Sequence, residues 1–146
     1  MDIKIGIWNR DVQNFSGLEL AIIGQSAYHL NGVQISASNQ AGYLSGIQAG
    51  LLNNSGYSKG IQAAVFGNEN IRKMDGLQLA LLHNEAIDIC GGQIAAINKV
   101  EEKIQGIQIG LYNYCTEDSA CIQIGLINKK EGEHWYSNII PFLAVR

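Results

Sequence analysis

The fold is decided by the octet GIQIGLYN at residues 106–113, one of the clearest copies of a motif that recurs along the chain. Two further clear copies are GIQAGLLN at 46–53 and CIQIGLIN at 121–128. The nine copies begin, 14 to 16 residues apart, at Asp2, Gly17, Gly32, Gly46, Gly60, Gly76, Gly91, Gly106 and Cys121. A fixed period of this length is typical of repeat proteins, in which each unit buries its apolar surface against its neighbours.

Each octet has the composition of a short β-strand. It is rich in aliphatic and β-branched residues and is bracketed by Gly and Asn, which end regular structure. The interval between octets is too short for a crossover helix but long enough for a turn, a second short strand and another turn. The spacing therefore predicts an all-β fold, a β-solenoid of about nine 15-residue coils and roughly 43 Å in length at the usual strand separation.

The domain organisation follows from where the repeat stops. We expect one repeat domain over residues 1–146, with repeats at 2–128 and a C-terminal cap at 129–146. Apolar residues are concentrated in that last segment, where an apolar stretch most often covers the open end of a solenoid. They are Trp135, Tyr136, Ile139, Ile140, Phe142 and Leu143.

Alternation along the octet predicts which residues face the interior. Even positions, such as Ile47, Ala49 and Leu51, share one face, which we expect to fill the core. The residue two before each opening glycine, such as Leu44, would supply the opposing wall. An asparagine near the end of most octets predicts a ladder of side-chain amides at a corner of the coil. These residues are Asn9, Asn39, Asn53, Asn68, Asn84, Asn98, Asn113 and Asn128.

Odd positions are expected to form an outward strip of glutamines, small residues and large apolar side chains. An uncovered strip of this kind would exceed the apolar patch that is usual on a monomer, so another part of the chain or a partner should cover it. We therefore expect contact with a protein or glycan, or self-association, through this strip. Its candidate contact residues are Gln48, Gln62, Phe66, Gln78, Leu82, Gln93, Gln108 and Tyr112.

A second candidate binding site is a column of aromatic residues in the connectors. Tyr28 with His29, then Tyr43, then Tyr57 recur 14 or 15 residues apart, once per coil. Stacked rings with polar tips could hold a sugar or a peptide, because such side chains give a large contact area at low entropic cost. The alternative is that the rings only pack on one another and seal a turn.

Composition argues against several classes of function. The net charge is −3 and the longest basic run is Lys129-Lys130, so we expect no nucleic-acid partner. No window approaches the ~18 apolar residues of a membrane-spanning helix. The three cysteines form no C-x-x-C pair and the three histidines lie far apart in the repeat, so a disulfide framework, a metal or another cofactor is not expected.

Motifs of common enzymes are also absent from the sequence. There is no G-x-S-x-G elbow and no P-loop, since the glycines recur at the repeat interval. The sequence therefore predicts a non-enzymatic structural or interaction module. The alternative is a carbohydrate-binding or carbohydrate-acting β-helix, for which the candidate connector carboxylates are Asp88, Glu101, Glu102, Glu117 and Asp118.

The motif resembles that of bacterial surface-repeat proteins built from tandem G-[LIV]-Q-[IL]-G-[LIV]-x-N units. The match covers residues 2–128 and departs from the pattern at Lys4 and Glu19, which replace Gln, and at Gly24, which replaces Asn. The resemblance implies a surface or exported protein and brings no catalytic residues. A chain that is complete as written, without a secretory signal pattern at its start, would instead be expected in the cytoplasm.

Overall fold

The computed structural model describes residues 2–116, 118–132 and 142–145. In this part of the chain the structure is all-β, without helices, and its parallel strands form a β-solenoid of about eight turns. The fold class predicted from the sequence is therefore confirmed, and the predicted number of nine coils is close.

Seven strands make up the solenoid within the described residues. The first, β1, follows consecutive coils without a break, and the later coils are divided by short bends. The strands are β1 (Asp2–Ala80), β2 (His83–Ile94), β3 (Ile97–Ile109), β4 (Tyr112–Cys115), β5 (Ala120–Gly125), β6 (Ile127–Lys130) and β7 (Phe142–Val145).

The pairing register converts each motif position into a column along the solenoid axis. Gln78 of β1 pairs with Gln93 of β2, which pairs with Gln108 of β3, which pairs with Gln123 of β5. Differences in repeat length are absorbed away from the first four octet positions, for example by a register shift between Asn70 and Lys73. Equivalent residues of successive copies therefore lie directly above one another.

The opening glycines recur because the backbone leaves no room for a side chain. Gly91 has a φ of 140°, a conformation that L-residues rarely adopt. A Cβ built at this position would also collide with the carbonyl oxygen of Gly76 in the preceding coil. The glycine column thus fixes the corner where each coil begins.

The predicted facing of the octet was wrong. Gln48 is completely buried, whereas its neighbour Ile47 is 39% exposed. From the copy of Gly32 onward the third position is always buried, whereas the even positions, apart from the buried Gly92, are half-buried or exposed. Burial of an amide is costly only when it lacks partners, and a column of identical amides supplies a partner in each adjacent coil. Hydrogen bonding along the axis therefore places glutamine, rather than isoleucine, in the interior.

Two columns of side-chain amides run through the interior in opposite directions. In the glutamine column each Nε2 donates to the preceding copy, as from Gln48 to Gln34 at 3.0 Å. In the asparagine column each Nδ2 donates to the following copy, as from Asn98 to Asn113 at 2.9 Å. The predicted asparagine ladder is therefore confirmed from Asn39 to Asn128.

The copy that lacks an asparagine at Gly24 has a substitute one residue later. Gln25 is buried, and its Nε2 donates to the carbonyl oxygen of Ile35 at 2.5 Å. Asn39 makes the equivalent bond to Ala49 at 2.8 Å. The longer glutamine side chain thus reaches the same backbone group from the neighbouring position.

The opposing wall of the core is apolar, as predicted, but it is interrupted. One cluster consists of Phe15, Ala27, Leu30, Ala41 and Leu44. The other consists of Met74, Ala86, Ile89, Val100, Ile104, Cys115 and Cys121. Between them lies a polar layer in which Asn70 donates to both Ser55 and Ser58. In the second cluster the sulfurs of Cys115 and Cys121 lie 3.0 Å apart, a proximity that the sequence did not predict.

The C-terminal end of the solenoid is covered by β7. This strand pairs antiparallel with β5, with Ala144 opposite Gln123, and thereby occupies the hydrogen-bonding edge of the last coil. Ala144 is buried, whereas Phe142 and Leu143 remain exposed. The other predicted cap residues, Trp135, Tyr136, Ile139 and Ile140, lie outside the described residues.

Candidate interaction surface

The outward side of the octets is a continuous apolar surface of strand residues and the bend that follows them, which we call the aliphatic face. It consists of positions two, four and six of the nine copies, and every residue at these positions is Ile, Leu, Val, Ala or Gly. Going from the first copy to the last, the face comprises Ile3, Ile5, Ile7, Leu18, Leu20, Ile22, Val33, Ile35, Ala37, Ile47, Ala49, Leu51, Ile61, Ala63, Val65, Leu77, Leu79, Leu81, Gly92, Ile94, Ala96, Ile107, Ile109, Leu111, Ile122, Ile124 and Leu126.

The aliphatic face is ordered by the strand register. Leu79, Ile94, Ile109 and Ile124 lie in one column, because β1, β2, β3 and β5 pair in parallel without a shift across the octets. Side chains of this face are half-buried by their neighbours in the column and otherwise open to solvent, and Leu81 near the corner is 68% exposed. The result is a regular ridged surface without a charged group.

The structure buries one part of the contact strip predicted from the odd positions and leaves the other part accessible. Its glutamines, namely Gln48, Gln62, Gln78, Gln93 and Gln108, are fully buried and cannot touch a partner, so this part of the prediction was wrong. Phe66 and Leu82 are exposed and Tyr112 is half-buried. These three residues follow position six, at the corner beside the aliphatic face, and extend its apolar surface.

Charged residues are grouped away from the aliphatic face. Lys99 lies between two carboxylates, 2.7 Å from Glu101 and 2.8 Å from Glu85. The hydrogen bond to Glu101, followed by that to Glu85, raises the pKa of Lys99. Lys99 in turn lowers the pKa of Glu85, helped by His83 at 3.1 Å. This ion-pair group follows the asparagine corner and contributes to the solvated side of the solenoid.

The aromatic residues of the connectors form one stacked column. The ring centroids of His29 and Tyr43 are 4.7 Å apart, and those of Tyr43 and Tyr57 are 5.3 Å apart with an interplanar angle of 11°. Tyr28 packs edge-on against both His29 and Tyr43. The predicted residues are thus brought together, and their ring faces cover one another.

Arg72 closes the far end of the aromatic column. Its guanidinium carbon lies 5.3 Å from the Tyr57 ring centroid, and its Nη1 donates to the Tyr57 hydroxyl at 3.3 Å. This hydrogen bond is the main cause that raises the pKa of Arg72. The outer face of Tyr57 is therefore covered by a cation.

Two open grooves flank the aromatic column. One has a volume of about 660 Å³ and is lined by residues that include Gln13, Gln40, Asn54 and Arg72. The other has a volume of about 670 Å³ and is lined by residues that include Asn31, Lys59, Lys73 and Asp75. Each groove could hold a short polar ligand against the ring edges.

Two of the candidate catalytic carboxylates in the described part of the chain lie beside lysines. Asp88 pairs in register with Lys103, and Glu101 is engaged by Lys99. Glu117 lies outside the described residues. Among residues 2–116, 118–132 and 142–145, no cluster of three or more His, Cys, Asp or Glu side chains could hold a metal ion. Nor does this part of the chain contain a helix long and apolar enough to cross a membrane.

Comparison of the chain with protein-family models, with curated proteins and with solved structures gives no match. The resemblance to bacterial surface-repeat proteins therefore stays a prediction from the motif.

Proposed function

We propose that the chain is a non-enzymatic interaction module that buries its aliphatic face against a protein partner. The observation that carries the proposal is the composition of the face, which is aliphatic, Ala or Gly at three positions in all nine copies. Nine octets stacked at about 4.8 Å, each about 17 Å long, give a face of about 700 Å². This is larger than the apolar patch of a typical monomer, about 300–600 Å², and such patches mark contact sites.

Charge and shape favour a protein over an anionic lipid surface as the partner. The net charge is −3, and the connectors carry ammonium and carboxylate groups side by side, as at Lys73 and Asp75. An anionic bilayer is recognised by an excess of basic residues, which this surface lacks. An apolar sheet surface instead fits a second sheet, which packs face to face at about 10 Å. The resemblance in the motif adds the proposal that this contact takes place on the bacterial surface or after export.

Carbene footprinting tests whether the face is covered. A photoactivated diazirine should label Ile47, Leu81 and Ile94 strongly in dilute purified protein and weakly in an extract of the source cells. Labelling of the exposed connector residue Gln105 should be equal in both samples. Equal labelling of the aliphatic face in the two samples would contradict the proposal.

The grooves beside the aromatic column support a second candidate, the binding of a sugar or a short peptide. Only ring edges, hydroxyl groups and groove side chains are available, because the ring faces are stacked on each other and on Arg72. Binding to an array of glycans and peptides, followed by calorimetry with Tyr43→Ala and Tyr57→Ala, would test it. Binding that survives both substitutions would rule out the column as the site.

A further inference from the structure

We infer that the partner of the aliphatic face is a second copy of this chain, packed face to face about a twofold axis. The axis runs parallel to the strands, between the copies that begin at Gly60 and Gly76. The inference rests on the proposed function and makes it specific. It follows from three properties of the face: the arrangement of its small residues, its area and its lack of charge.

The small residues of the face match large residues across this axis. Ala49 comes to lie opposite Ile94 of the second copy, and Ala63 opposite Leu79. The remaining small residues also meet large ones. The full set of such pairs is Ala37 with Leu111, Ala49 with Ile94, Ala63 with Leu79, Gly92 with Ile47, and Ala96 with Leu51. The ridges of one face thus fill the depressions of the other, as the inner sides of two packed sheets do.

Other twofold arrangements fit less well. A twofold axis perpendicular to the strands places Ala63 opposite Ala63 of the second chain. An axis parallel to the strands but through the copy of Gly60 does the same, so both arrangements leave voids. An axis through the copy of Gly76 places Leu77, Leu79 and Leu81 opposite the same leucines of the second chain, so large residues meet large ones. One copy fewer of each chain then lies in the interface.

The area and charge of the overlap are those of a specific dimer. Eight copies overlap in this arrangement and bury about 650 Å² of face on each partner, or about 1,300 Å² in total, within the range of standard interfaces. No charged residue belongs to the face, so association brings no like charges together even though each chain carries a net charge of −3.

Light scattering and sedimentation of the full chain test the dimer. We expect a dimer at micromolar concentration, and a dissociation constant raised at least tenfold by Ala49→Ile or by Ile94→Ala alone. The dissociation constant of the double variant A49I/I94A should lie within about threefold of that of the wild type, because the variant exchanges the large and small residues of the pair. Ser45→Ala, an exposed connector change, is the control. Far-UV circular dichroism would verify that each variant keeps its strand structure.

Cysteine cross-linking tests the register. In a Cys90→Ser background, Ala49→Cys with Ile94→Cys should give a covalent dimer on mild oxidation by oxidised glutathione. These positions lie three coils apart within one chain, about 14 Å, too far for an internal bridge. Cross-linking of A63C/I94C instead would overturn the proposed axis.

The two proposals fail in different ways. A chain that is strictly monomeric at several hundred micromolar would overturn self-association. If its aliphatic face is nevertheless shielded in cell extract, the proposed interaction module would still hold, with a different protein as its partner. A face that is unshielded in extract and a monomeric chain would remove both.

Discussion

Glu19 accepts a hydrogen bond from the side-chain amide of Gln34 at 2.9 Å and thereby ends the glutamine column. Each amide of that column donates toward the N-terminal end, so the last residue there must accept without donating further. A carboxylate meets this requirement because it has only acceptor sites. Lys4, 3.8 Å from the other carboxylate oxygen, occupies the next position of the column and supplies the opposite charge.

Glu19→Gln should therefore destabilise the solenoid, although it makes the column more uniform. The new amide must turn its oxygen to Gln34, which points its two donors at the ammonium of Lys4. The expected loss is about 1–2 kcal/mol, in the lower part of the range for an unsatisfied buried donor. The double variant K4Q/E19Q should recover most of it, because the amide introduced at position 19 can then donate to the amide oxygen introduced at position 4. Urea unfolding of the wild type, Lys4→Gln, Glu19→Gln and the double variant measures the coupling energy between positions 4 and 19. Additive losses of stability would contradict this account.

Interrupting the glutamine column with an apolar residue should be more costly. Gln93→Leu keeps the size of the side chain but leaves Gln78 without a donor and Gln108 without an acceptor within the column. We expect a loss of about 3 kcal/mol, since each stranded amide costs about 1–3 kcal/mol. Gln105→Leu, at an exposed position, should change the stability by less than about 0.5 kcal/mol. A Gln93→Leu protein as stable as the Gln105→Leu control would show that the column is dispensable.

Asn98→Ala tests the second amide column. Asn98 accepts from Asn84 at 3.1 Å and donates to Asn113 and to the carbonyl oxygen of Ile109. Its removal should lower the free energy of unfolding by about 2–3 kcal/mol and the melting temperature by several degrees. The matched control is Asn31→Ala, because Asn31 is exposed. Equal melting curves for the two variants would disprove the structural role of the ladder.

Two adjacent glycines should lose very different amounts of stability on substitution by alanine. Gly91→Ala places a Cβ against the carbonyl oxygen of Gly76 in a backbone with positive φ, and should cost more than about 3 kcal/mol. In Gly92→Ala the nearest atom is Cδ2 of Leu77 at 2.9 Å, the flexible end of a side chain. This second variant should cost less than about 1 kcal/mol. Thermal melting followed by circular dichroism measures both, and similar losses would refute the steric explanation.

The ion pairs of Lys99 predict a small dependence of stability on pH. The folded state lowers the pKa of Glu85, chiefly through Lys99, so the stabilisation is present above the unfolded pKa and is lost as pH falls through the folded value. Glu85→Gln should lose about 0.5 kcal/mol at pH 7, as partly exposed pairs do, and less at about pH 3, where Glu85 is increasingly protonated. Glu102→Gln, at an exposed connector position, is the control. A loss that is the same at both pH values would exclude the ion pair as its cause.

Much of the fold could be predicted because the repeat interval determines which residues pair between successive coils. Breaker residues at both ends of each octet define the strands, and a constant interval predicts stacking in parallel. The wall residues Leu44 and Ile104, and the asparagine ladder, also lie where alternation and amide chemistry place them. The substitute role of Gln25 was missed because the alignment compares equal positions, whereas the longer side chain acts from the next one.

Which side of the octet is buried could not be predicted from hydropathy. An isolated strand would bury Ile47 and expose Gln48, and only stacking gives the glutamine amide partners in both neighbouring coils. A signal was nevertheless present in the sequence. The third position is glutamine in seven consecutive copies, while positions two, four and six vary among Ile, Leu, Val, Ala and Gly. Strict identity within the chain is what a ladder requires, and loose aliphatic character is sufficient for a surface.

The opposite directions of the two amide columns have an electrostatic consequence. In an α-helix the peptide dipoles point the same way and add into a macrodipole. Here each additional coil contributes one glutamine dipole and one asparagine dipole that point in opposite senses, so their axial components largely cancel. Field energy therefore does not accumulate as coils are added, and the length of such a solenoid is free to change by gain or loss of whole repeats.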